Sequence, residues 1–125
     1  MEEFKPFKVV EKPWGYEKYL SLNEFYCLKL IKINKGHVTS LQYHKFKRET
    51  TFIHEGKALV TLKRKGQEEY STYEVGPGAT LDLPVGDIHR IEALEDVIMF
   101  EASTPEVWDV VRLEDSYARA GTSEP

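Results

Sequence analysis

Short runs of β-branched and aromatic residues recur about every eight to twelve positions, each closed by Gly, Pro or polar residues, and this rhythm restricts the chain to an all-β fold. The strand candidates are Tyr26 to Ile33, Thr51 to Ile53, Ala58 to Leu62, Tyr70 to Val75, Thr80 to Leu83, Arg90 to Ala93 and Val97 to Ala102. Lys65-Gly66 suits a hairpin turn between two of them. The stretch Pro105 to Val111 (PEVWDVV) fits either a short helical turn or an edge strand. Many short strands without helices mean a sandwich or a barrel, and a barrel solves the edge-strand problem by closing on itself.

A chain of 125 residues is long enough for one core and too short for a second domain of ordinary size, so residues 1–125 read as a single domain. Residues 1–9 form an N-terminal arm in this reading, and 118–125 (ARAGTSEP) a frayed tail with nothing to bury. With 41% hydrophobic and 30% charged residues the composition is that of a globular protein, which argues against disorder. Seventeen Lys and Arg against twenty-one Asp and Glu leave a net charge of −4, so the basic footprint of a nucleic-acid binder is missing. The one cysteine, Cys27, lies in an apolar stretch and cannot make an internal disulfide; a buried, inert thiol is expected. No segment approaches the roughly 20 apolar residues of a membrane span, and MEEFK lacks a signal architecture. No membrane partner and a cytoplasmic location are therefore expected.

The stretch LQYHKFKRET, residues 41 to 50, carries a glutamine, a histidine, three cations and a glutamate. On a strand Gln42 and His44 leave the same face, and after a turn Glu49 opens the next apolar run on the face of Thr51 and Ile53. A second histidine, His89, follows the turn residues Pro84 and Gly86. One amide oxygen, two imidazoles and one carboxylate suit a borderline divalent metal such as zinc, with iron, manganese, cobalt and nickel also compatible.

Gly36 to Gly56 reads G-x5-Q-x-H-x4-E-x6-G and Gly78 to His89 reads G-x5-P-x-G-x2-H, so the chain resembles a cupin, a jelly-roll barrel or double-stranded β-helix, with both signature motifs. Gln42 replaces the usual first histidine of motif one, and Ala93 the asparagine that commonly ends motif two. KPWGYEKYL, LKLIKINKGHVTSLQYH and VVRLEDSYAR are similar, in order, to stretches of the type II phosphomannose isomerase cupin domain, over roughly residues 10 to 119. The resemblance implies a metal held by Gln42, His44, Glu49 and His89, and interconversion of mannose 6-phosphate and fructose 6-phosphate. In that chemistry a Lewis-acidic metal polarises the carbonyl and hydroxyl oxygens while a base moves a proton between carbons. The family pattern Q-x-H-x-x-R-x-E places Lys47 where an arginine is usual, and a lysine lacks the planar fork of arginine. Thr50 and Thr51 stand where an aromatic often follows the glutamate, and Ala118 stands where glycine is usual.

Further candidates carry two readings each. Lys29 shares the parity of Cys27, Ile31 and Ile33, and serves either a substrate anion or a structural ion pair. Arg112, Asp115, Tyr117 and Arg119 either cap the mouth and hold a phosphate or dock a terminal segment, with Arg112 favoured for the phosphate and Asp115 and Arg119 for docking. Trp14 is a packing anchor or a sugar-stacking platform, and His37 and His54 are structural or surface residues. Glu101 and Glu106 are possible general bases that spacing does not separate from surface carboxylates. The candidate catalytic set is thus Lys47, Lys29 and Arg112, and the expected ligand a sugar phosphate or nucleotide sugar bound by a homodimer. The competing functions are another sugar-processing cupin, such as an epimerase or an isomerase of a different sugar, and a non-catalytic sugar-binding cupin.

Overall fold

The computed structural model describes residues 5, 6 and 8–117. The described chain folds into strands without a helix: β1 (Lys8–Lys12), β2 (Gly15–Leu22), β3 (Cys27–Ile33), β4 (Leu41–Tyr43), β5 (Glu49–Glu55), β6 (Ala58–Lys63), β7 (Ser71–Val75), β8 (Thr80–Leu83), β9 (Ile88–Ala93), β10 (Val97–Ser103) and β11 (Val111–Glu114). A six-stranded sheet has the order β1-β2-β3-β10-β5-β8, and a five-stranded sheet β11-β4-β9-β6-β7. All pairings are antiparallel. From β7 onward the chain alternates between the sheets, which fits the all-β sandwich or barrel expected from the strand rhythm and the jelly roll implied by the cupin resemblance. Among the described residues no helix is long and apolar enough to cross a membrane.

The inward faces carry the core. Trp14, Ile31, Ile33, Ile53, Ala58, Val60, Leu62, Leu83, Ile91, Ala93, Val97 and Met99 form one buried cluster drawn from both sheets. Full burial of a Val, Leu or Ile side chain contributes about 1.5–3 kcal/mol, so this layer holds the sheets face to face. Trp14 belongs to it, 4% exposed, which favours its packing role.

The expected strands form, each within a residue or two of its anticipated ends or extended beyond them, and Lys65-Gly66 turns between β6 and β7. Four strands escaped the rhythm: β1, β2, β4 and β11. Lys8 and Val9, expected in an N-terminal arm, instead pair with Tyr19 and Lys18 as part of β1 and β2. Charged residues interrupt the apolar pattern in both strands, and the pairing outweighs it. The stretch Pro105 to Val111 forms neither a helix nor an edge strand before Val111; it makes a tight turn in which the Val107 N–H donates to the Pro105 carbonyl and the Asp109 N–H to Glu106. The tail 118–125, with Arg119, lies outside the described residues.

Candidate functional site

The barrel interior changes character along its length. Strand register lines up Ile31, Met99 and Ile53 across β3, β10 and β5, then Lys29, Glu101 and Thr51, then Cys27, Ser103 and Glu49. Apolar rows at one end therefore give way to charged rows at the other. The opposite sheet follows the same gradient: Ala93 and Ile91 of β9 belong to the core, whereas His89 stands in a row with Leu62, Gln42 and Arg112. Gln42, His44, Lys47, Glu49, His89, Glu101, Lys29 and Arg112 all line one pocket at this end.

Three side chains form a metal-type donor set. The Nε2 atoms of His44 and His89 lie 3.3 and 3.1 Å from Glu49 Oε1, and one ligand atom from each of the three residues falls within 4.8 Å of the others. All three residues are buried. The far sides of both rings are fixed by backbone carbonyls: His44 Nδ1–H donates to Asp109 and His89 Nδ1–H to Asp87, the latter at 3.1 Å. A neutral imidazole that donates from Nδ1 presents its lone pair at Nε2, which is how a metal-ligating histidine is held. Two imidazole nitrogens and a carboxylate thus fit a borderline divalent cation. Gln42, opposite His89 across β4 and β9, lines the same pocket, and its amide oxygen accepts from Ser40 Oγ.

Beside the donor set runs a chain of alternating charge. Lys29 Nζ is 3.2 Å from Glu17 Oε1 and 3.8 Å from Glu101 Oε2, and Lys47 Nζ is 3.6 Å from Glu101 Oε2 and 3.2 Å from Glu49 Oε2. Lys29 also lies over the Tyr19 ring at 4.8 Å. Three carboxyls, Glu17, Glu101 and Glu49, thus alternate with two ammoniums. Burial and the neighbouring Glu49 carboxylate push Glu101 up to about 8, against the pull of Lys47 and Lys29. Burial also works against an ionised Glu49, but Lys47 and hydrogen bonds from His44 and His89 hold it well below the usual carboxylate range. Burial lowers Lys47, yet Glu101 and Glu49 more than offset this and raise it to about 12. Lys29 is raised in the same way by Glu101 and Glu17. His89 rises because its contact with Glu49 outweighs burial.

The sequence candidates converge on this pocket with different commitments. Lys47, 5% exposed, projects inward to Glu49 and Glu101. Lys29 sits within hydrogen-bonding distance of Glu17, its structural ion pair. Arg112 is buried and lines the pocket. Glu101 lies within the site, whereas Glu106 belongs to the turn before Asp109 and is not among the lining residues. His37 bonds Tyr117 at 2.7 Å and His54 is exposed, both away from the donor set. Sequence reasoning missed Glu17 and Asp109. Glu17 faces the pocket from β2, and the signal for it was that a buried Lys29 needs an anion. Asp109 occupies a turn, where no periodicity marks it.

Solved structures with the same fold include the capsular polysaccharide assembling protein CapF from Staphylococcus aureus (TM-score 0.73, 19% identity, 88% of this chain and 32% of that one). KdgF from Halomonas sp. also matches (TM-score 0.68, 19% identity, 79% and 88%). So does oxalate decarboxylase from Bacillus subtilis, a protein with Mn(II) centres (TM-score 0.70, 18% identity, 87% and 30%). The chain spans about a third of the CapF and oxalate decarboxylase chains. No curated protein matches it. The family model described as Mannose-6-phosphate isomerase C-terminal matches residues 1–115, and the chain belongs to that family of cupin barrels.

Proposed function

We propose that the protein is a metal-dependent sugar-phosphate isomerase that interconverts an aldose and a ketose, with mannose 6-phosphate and fructose 6-phosphate as the favoured pair. The observation that carries this reading is the juxtaposition, in one pocket, of the His44–Glu49–His89 donor set with a buried carboxyl, Glu101, whose proton affinity is raised toward neutrality. Such an isomerisation moves a proton between adjacent carbons, and the group that carries it works best with a pKa near the operating pH.

His44, Glu49 and His89, with Gln42, would hold the metal; two imidazoles and two oxygen donors suit a borderline divalent ion, of which zinc is the one the family resemblance favours. When bound it supplies electrophilic polarisation of sugar oxygens. The chain's own residues supply the remainder. Glu101 accepts and returns the proton. Lys47 steadies charge beside Glu101 and Glu49, and Arg112 offers a guanidinium to a phosphate at the other wall. Lys29, paired with Glu17, keeps Glu101 in place.

The test is isomerisation of mannose 6-phosphate by metal-free protein before and after zinc or manganese is restored, with deuterium exchange at the sugar C2 position followed in parallel. Metal-dependent turnover with exchange supports the assignment. Binding without exchange indicates a sugar-binding module, and neither binding nor turnover overturns the reading. One observation favours a second reading, a cupin isomerase or epimerase acting on a different sugar: Lys47 stands where the resembling isomerases carry arginine. The variant Lys47→Arg separates the two, because a rise in mannose 6-phosphate turnover identifies position 47 as a selector for that substrate.

A further inference from the structure

Asp109 lies in the connection between β10 and β11, 5% exposed. Its carboxylate accepts three consecutive backbone N–H groups, from Lys45 at 3.2 Å, Phe46 at 2.6 Å and Lys47 at 2.9 Å. Successive N–H groups pointing into one concavity make an anion site, and here the chain fills it with its own side chain. Burial opposes the charge, but the three N–H donors keep the Asp109 carboxyl below its ordinary range. The main-chain carbonyl of the same residue accepts from His44 Nδ1–H. One residue therefore grips both ends of the segment from His44 to Lys47. The turns it joins are further packed by the Phe46 and Trp108 rings, 6.0 Å apart.

We propose that Asp109 is a positioning residue for the site: its carboxylate sets the turn that aims Lys47 at Glu49, and so keeps its carbonyl where it holds the His44 ring with Nε2 toward Glu49. The inference rests on the metal-site reading of His44, Glu49 and His89 and is independent of which sugar is bound. Outer-shell partners of this kind change metal affinity by about 10–100-fold when removed, because the ligand ring loses its orientation. A residue that merely stabilised the fold would lower the melting temperature without changing the site of the folded protein.

The experiment compares the wild type with Asp109→Asn and Asp109→Ala, and uses Asp82→Asn as a control, since Asp82 is a surface carboxylate paired with Arg48. Zinc affinity is measured by competition with a chromophoric chelator, well below each variant's melting temperature. The hydrogen bond from His44 Nδ1–H to the Asp109 carbonyl is read in the metal-free protein by nitrogen-15 NMR. Asp109→Asn keeps one acceptor oxygen and should weaken zinc about tenfold, Asp109→Ala up to about a hundredfold, and Asp82→Asn not at all. The hydrogen-bonded Nδ1–H signal of His44 should be present in the wild type and lost in both Asp109 variants. Wild-type zinc affinity and an unchanged Nδ1–H signal in folded Asp109→Asn would overturn the proposal. Should the wild type bind zinc no better than His89→Ala, the metal-site reading fails, and the Nδ1–H signal alone then decides whether Asp109 orients His44.

Discussion

Lys47 and Glu49 meet as a buried ion pair, Nζ to Oε2 at 3.2 Å, with side chains only 6% and 3% exposed. Truncating one member of such a pair leaves a buried charge uncompensated, at a cost of about 3–5 kcal/mol. A divalent cation on the same carboxylate can take over as counter-ion. Lys47→Ala should therefore lower the melting temperature of metal-free protein strongly and that of zinc-loaded protein much less. By linkage, the variant binds zinc more tightly than the wild type. Its turnover should fall about a hundredfold, because the cation beside the reacting groups is gone. Equal destabilisation of the two forms in parallel thermal scans would contradict the exchange of counter-ions.

His89 Nε2, 3.1 Å from Glu49 Oε1, holds a proton in the position that a metal would claim. Its proton affinity is raised, so binding releases that proton and zinc affinity should climb as pH rises through the raised His89 value, then level off. His89→Ala removes a donor and should abolish the thermal shift produced by zinc. Calorimetry at several pH values, in buffers of different ionisation enthalpy, counts the protons released.

The sequence made the inward strand faces legible and left much of the charge cluster hidden. Lys29 was found because a lysine at the parity of Ile31 and Ile33 contradicts an apolar face. Glu101 had the same parity relative to Val97 and Met99, yet only the register of β10 against β3 and β5 shows that it lies between Lys29 and Thr51. β4 and β11 are three and four residues long, too short to establish a period, and their pairing of Gln42 with His89 and Arg112 is non-local. Asp109 acts through backbone groups of a turn, which have no side-chain signature.

Glu101 gives the metal-free protein an inverted pH response. Its carboxyl titrates near 8 when folded and near 4.3 when unfolded, so between these values the folded state binds more protons and stability falls as pH rises. His89, also raised on folding, adds a loss in the same direction above about 6.5. Urea denaturation should show metal-free wild type more stable at pH 5.5 than at pH 8.5, and Glu101→Gln should reduce that difference. An undiminished difference in the variant would place the titrating group elsewhere.

Gly36 and Gly56 bracket the first motif and have nearly the same left-handed backbone, φ +83° and +85°, but different surroundings. A Cβ at Gly36 would meet nothing within 4 Å, whereas at Gly56 it would lie 2.0 Å from the Asp96 carbonyl oxygen, which belongs to the backbone and cannot swing aside. Gly36→Ala should therefore cost only the conformational penalty, about 1–2 kcal/mol. Gly56→Ala adds a clash with the turn that leads into β10, the strand that carries Glu101, and should cost more than about 4 kcal/mol. Denaturant midpoints of the two variants provide the comparison. Equal losses would mean that the left-handed conformation alone accounts for both glycines, and a larger loss at Gly56 that the motif also records a close backbone approach beneath the site.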